Sequence, residues 1–105
     1  MNPSAEATPP PSAEKYTIDW TGRFKRDYKL AIRRGLDISR LDDIIGKLAR
    51  GEPLPPANHD HPLTNNWVNH RECHIAPDWL LIYQIHEYIL ILELTRTGTH
   101  SDLFQ

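Results

Sequence analysis

A chain of 105 residues with a formal net charge of −2 supports one domain around a single core and leaves no room for a second catalytic domain. Its one cysteine, Cys73, excludes an intramolecular disulfide and gives no sign of an oxidised, secreted framework. The apolar run Leu80-Leu81-Ile82-Tyr83 breaks at Gln84, far short of the roughly 20 residues that a membrane-spanning helix needs. No charged, then apolar leader opens the chain, so a soluble, untargeted cytoplasmic protein is expected.

Residues 1–14 hold Pro3, Pro9, Pro10 and Pro11 with no periodic apolar pattern, which reads as a flexible extension ahead of a domain spanning 15–105. Tyr16, Ile18 and Trp20 alternate with Thr17 and Asp19, the period of a strand buried on one face. Thr21 is placed to cap a helix running to about Arg34, with Phe24, Tyr28, Ala31 and Ile32 at helical spacing and Gly35 as its stop. Ser39 is the expected cap of a second helix, which carries the stripe Leu41, Ile44, Ile45 and Leu48 and ends at Gly51. Pro53, Pro55, Pro56 and Pro62 predict a loop over residues 52–66. Three strands are expected next, at about 67–75, 79–85 and 88–95, the last two joined by a tight turn near His86-Glu87. The result is an α+β domain: an N-terminal strand, a two-helix hairpin, then a mainly antiparallel sheet. The helices pack on one face, and the other is free to host a site.

Charge is unevenly spread. Residues 15–50 carry ten basic against five acidic side chains, a surface able to hold polyphosphate, or simply the solvated faces of two helices. From Gly51 onward only Arg71 and Arg96 stand against seven acids. This acidic half also holds all six histidines, of which His61 (in Asp60-His61-Pro62-Leu63), His74 (ahead of Pro77-Asp78-Trp79) and His100 (in Arg96-Thr97-Gly98-Thr99-His100) sit in distinctive segments. Imidazole titrates near neutral pH, so histidines that converge suit proton transfer.

Taken in order, Asp60-His61-Pro62-Leu63, Trp67, Arg71, His74, Pro77-Asp78-Trp79 and the run from Arg96 to Phe104 resemble the YafQ-type branch of the RelE/ParE toxin superfamily. The likeness covers nearly all of residues 15–105. It implies a RelE-like fold and a toxin of a type II toxin-antitoxin system that cuts messenger RNA on the translating ribosome. It also implies a cognate antitoxin that binds operator DNA as partner, with no cofactor and no metal. Carried over residue by residue, it implies catalytic roles for His61, His74, Asp78 and His100, base contacts for Trp79 and Phe104, and a phosphate contact for Arg96. The chemistry is compatible: attack by a ribose 2′-hydroxyl needs a base, an acid at the departing 5′-oxygen, and positive charge on the phosphate between them.

Duller readings stand beside these. His59, His70 and His86 read as surface or structural residues. Trp67 and Trp79 suit a core as well as a stacking platform, Asp78 suits a turn after Pro77, and Phe104 suits a latch on the sheet. A zinc site drawn from His59, His61, His70, Cys73 and His74 matches no compact spacing. Cys73 and His74 are strand neighbours pointing to opposite faces, so they form no dyad, and Cys73 is expected to be buried. Other functions on this fold are a gyrase-directed toxin, which would not need three histidines, and an inactive antitoxin-binding module, which the acidic half would suit.

Overall fold

The computed structural model describes residues 14–104, so all of the expected extension except Glu14 lies outside the described residues. A five-stranded sheet carries two helices on one face. Strand β1 (Thr17–Trp20) leads to α1 (Gly22–Arg33) and α2 (Ile38–Ala49), then β2 (His61–Pro62), β3 (Arg71–Ala76), β4 (Trp79–His86), β5 (Ile91–Gly98) and the short α3 (His100–Phe104). The strand order is β1-β5-β4-β3-β2. Only the β1–β5 pair is parallel; the rest are antiparallel. The connection between this parallel pair runs through the helical hairpin to β2 at the far edge and returns through β3 and β4.

The Thr21 hydroxyl caps α1 by accepting from the Phe24 N–H at 3.0 Å, and it donates to the Thr95 carbonyl at 2.9 Å. The helix start is thereby tied to β5. Gly35, at φ 75°, supplies the left-handed residue that ends α1. The cap of α2 is Asp37 and not Ser39: the Asp37 carboxylate accepts from both the Ser39 N–H and the Ser39 hydroxyl. Asp and Ser two residues apart are equally good caps on composition, and the chain enters α2 two residues earlier than the serine suggests.

The main core joins Phe24 and Ala31 of α1 and Leu41, Ile44, Ile45 and Leu48 of α2 to the alternating inward residues Cys73, Ile75, Leu81, Tyr83, Leu92 and Leu94. Burial pushes the Cys73 thiol well above its ordinary range, so it is no nucleophile at neutral pH. The opposite face is not wholly open: Leu80, Ile82 and Leu103 cluster there with Leu63 and Trp67 against them, so α3 and the 63–67 segment cover part of it.

Three boundaries differ from the sequence expectation. Trp67 ends a 3₁₀ turn (Asn65–Trp67), and β3 begins only at Arg71, because Asn65 and Asn69 adopt left-handed backbone that no strand accommodates. The β4–β5 turn occupies residues 87–90 instead of His86-Glu87, with Leu90 at φ 54°. Tyr88, Ile89 and Leu90 have strand-like composition, yet β4 continues to His86 and pairs it with Ile91, which leaves them at the exposed tip. Correspondingly β5 runs on to Gly98, and the loop after α2 contains the two-residue strand β2, paired with Arg71 and Glu72. No helix among the described residues is long and apolar enough to cross a membrane.

Candidate active site

Alternation along β3 puts Cys73 and Ile75 on the helix-covered face and Glu72 and His74 on the other. The register His61↔Glu72 then brings β2 alongside. His61 Nε2 lies 3.2 Å from Glu72 Oε1, and His74 Nε2 lies 3.7 Å from the same oxygen. Glu72 is 5 % exposed, a buried carboxylate between two imidazoles. The Nδ1 of His61 faces the Pro62 carbonyl at 3.1 Å, so both of its ring nitrogens meet acceptors.

The Pro77-Asp78 turn projects between β3 and β4, and the end of β5 delivers α3 beside it. The Asp78 carboxylate accepts from the His100 backbone N–H at 2.9 Å and lies 2.6 Å from His100 Nδ1. These contacts, the backbone N–H first, hold the Asp78 carboxyl below its usual range. Proton donation from Nδ1 to Asp78 leaves His100 Nε2 as the free nitrogen. The His100 ring stands edge-on to His74 at 5.8 Å between centroids, and His59 packs against His74 at 5.3 Å.

Two devices fix α3. Gly98 admits it closely, since a Cβ there would lie 2.9 Å from the Asp102 side chain. Asp102 in turn accepts from Arg34 Nη1 at 2.7 Å and from the Thr99 N–H at 2.9 Å. Arg34 chiefly, then Thr99, lowers the Asp102 carboxyl from 3.8 to about 2. A depressed folded-state value contributes stability above pH 3.8, which is lost as pH falls through 2. The Leu103 methyl resonances are therefore expected to lose their folded-state shifts between pH 4 and 2. An unchanged spectrum across that window would show the clasp to be dispensable.

Of the residues predicted from sequence, His61, His74, Asp78 and His100 come together. Trp79 does not join them: it is 5 % exposed, sits in the main core, and donates its indole N–H to Thr97 Oγ1 at 3.0 Å. Arg96 is gripped by Asp27 of α1, with Nε and Nη2 donating at 2.8 and 3.1 Å, which leaves Nη1 uncommitted. Phe104 is 44 % exposed and, with Trp67, lines a groove beside α3. His70 and His86 have local partners, Val68 O and Glu93. His59, expected to be a surface or structural residue, packs on His74, and Glu72, which no motif marks, joins the site through the pairing of β2 with β3. Among the described residues, no group of three or more His, Cys, Asp or Glu side chains is arranged to hold a metal ion. Cys73, drawn into the zinc reading, faces the helices, away from His74.

Known proteins share this sequence and fold. Residues 16–105 match the family model described as the bacterial toxin of type II toxin-antitoxin system, YafQ. The mRNA interferase toxin YafQ of Escherichia coli is 41 % identical over 83 % of this chain and 94 % of that protein. The crystal structure of E. coli YafQ superposes with a TM-score of 0.81 at 37 % identity, covering 86 % of this chain and 99 % of that one. YafQ in the E. coli DinJ-YafQ toxin-antitoxin complex superposes with a TM-score of 0.80 at 37 % identity, covering 87 % and 99 %. The chain therefore belongs to the YafQ family of bacterial toxins of type II toxin-antitoxin systems.

Proposed function

We propose that this chain is an mRNA interferase: an endoribonuclease that cuts messages on the translating ribosome by acid/base chemistry through the 2′-hydroxyl. The observation that carries the reading is the ring sequence His74–His100–Asp78, with one free imidazole nitrogen on His100 and a second ring 5.8 Å away. In this scheme one histidine of the pair His74 and His100 removes the 2′-hydroxyl proton as that oxygen attacks phosphorus. The other protonates the 5′-oxygen as the P–O5′ bond breaks, leaving a 2′,3′-cyclic phosphate and a 5′-hydroxyl. Arg96, through its free Nη1, brings positive charge to the phosphate, and His61 is the remaining histidine of the set. Asp78 fixes the His100 tautomer. Phe104 offers the exposed aromatic face for a base, and Trp79 acts from the core by holding the strand that follows Asp78.

The basic half fits a ribosomal docking surface. Arg23, Lys25, Arg26, Lys29 and Arg33 are all exposed on α1, opposite its buried Phe24 and Ala31. A DNA-binding antitoxin is the expected partner, by analogy with the DinJ-YafQ complex. Mapping 5′ ends in a translating extract tests the whole reading. New ends with 5′-hydroxyls are expected within the translated frame, and few on the same message without ribosomes. Equal cutting of free RNA would remove the ribosome from the scheme, and intact messages would remove the nuclease.

A further inference from the structure

His74 also lines a second cleft, bounded by Arg40 of α2, Asn58 and His59 ahead of β2, and Pro77. Nothing in the acid/base set accounts for it. The cleft between these residues holds ≈ 400 Å³, within the range that accepts a nucleotide-sized ligand. Arg40 donates from Nη2 to the Ile75 carbonyl at 2.8 Å. This bond fixes the guanidinium at the wall of the cleft and leaves Nε and Nη1 as donors. Arg40 has no carboxylate partner among the described residues, unlike Arg34, Arg50, Arg71 and Arg96. His59 holds a left-handed backbone, φ 47°, uncommon for a residue with a side chain, and its N–H donates to the Pro56 carbonyl at 3.0 Å. The Asn58 amide donates to the His74 carbonyl at 2.8 Å, locking this turn to β3 beside the reacting ring.

We propose that this cleft is a subsite for the nucleotide adjoining the cleaved phosphodiester, with Arg40 taking its phosphate and the His59 ring stacking on its base. The inference rests on the endoribonuclease reading. Its chemistry is that of single-stranded RNA recognition, in which a guanidinium tracks the backbone and a flat ring receives an unstacked base. A strand seated across His74 and His100 must pass a neighbouring nucleotide to one side of the reacting phosphate, and His74 is shared by the reacting site and the cleft. An isolated guanidinium with unused donors suits a phosphate better than any neutral ligand.

Initial rates of 5′-end appearance, measured against the concentration of programmed ribosomes, test the subsite with full-length protein. Arg40→Gln is expected to raise KM about tenfold at unchanged kcat, as expected for a lost charged hydrogen bond, with partial recovery in Arg40→Lys. His59→Ala is expected to redistribute cutting among sites that differ in the adjoining nucleotide. Folded variants with the wild-type KM and the wild-type cut-site distribution, beside an active wild type, would overturn the subsite and leave the nuclease reading standing. A wild type that cuts no message overturns both. If Arg40→Gln fails to fold, the cut-site distribution of His59→Ala decides.

Discussion

His100→Gln is expected to leave the fold intact and to lower message cleavage by about 10²–10⁴-fold, the range that a positioned acid or base contributes. Glutamine keeps a polar group near Asp78, and the His100 backbone N–H that also binds Asp78 is untouched, so α3 should stay docked. An amide neither takes up nor releases a proton near neutral pH, and the free ring nitrogen that would do so is lost with the imidazole. Two measurements check this: end mapping in a translating extract, and growth inhibition when the variant is expressed without an antitoxin. A folded variant that stays fully toxic would sink the acid/base assignment.

Asp27→Ala should be the most destabilising single change near the site, by about 2–3 kcal/mol, because it strands a largely buried guanidinium. The Arg96 and Asp27 side chains are 13 % and 10 % exposed, and the same carboxylate also accepts from the Thr97 N–H at 3.2 Å. Beyond Trp20, where β1 ends, this carboxylate stands in for the missing neighbour strand along β5. Urea denaturation gives the comparison. Much of the loss comes from the unpaired charge, so the double variant Asp27→Ala/Arg96→Ala should be less destabilised than the two single losses added together. A single-variant loss below about 1 kcal/mol would reduce the pair to a surface contact.

Sequence showed the local grammar clearly and the long-range partners poorly. Thr21, Gly35 and Gly51 announced helix ends because caps and left-handed stops depend on neighbours in the chain. Cys73 was legible as a buried residue opposite His74 because strand alternation is equally local. The Tyr88-Ile89-Leu90 turn was not, since its composition is that of a strand and only the β4–β5 register leaves it outside. The same limit governed the site. His61, His74, Asp78 and His100 stood out through family motifs, whereas Glu72 became visible only when β2 paired with β3. Trp79 and Arg96 look alike in sequence as candidate RNA contacts. The register that pairs Leu81 with Thr97 places the indole in the core, and α1 brings Asp27 to the arginine.

The bonds that brace the site from the N-terminal half span very large loops: 69 residues from Asp27 to Arg96 and 68 from Arg34 to Asp102. Closing such loops is entropically slow, and a parallel β1–β5 pair cannot form until the last strand has been made. A chain with β3, β4 and β5 paired but α1 undocked would have Arg96 ungripped and α3 without its Arg34 clasp. The set of side chains proposed for RNA cleavage is therefore complete only once the N-terminal half has docked on the sheet.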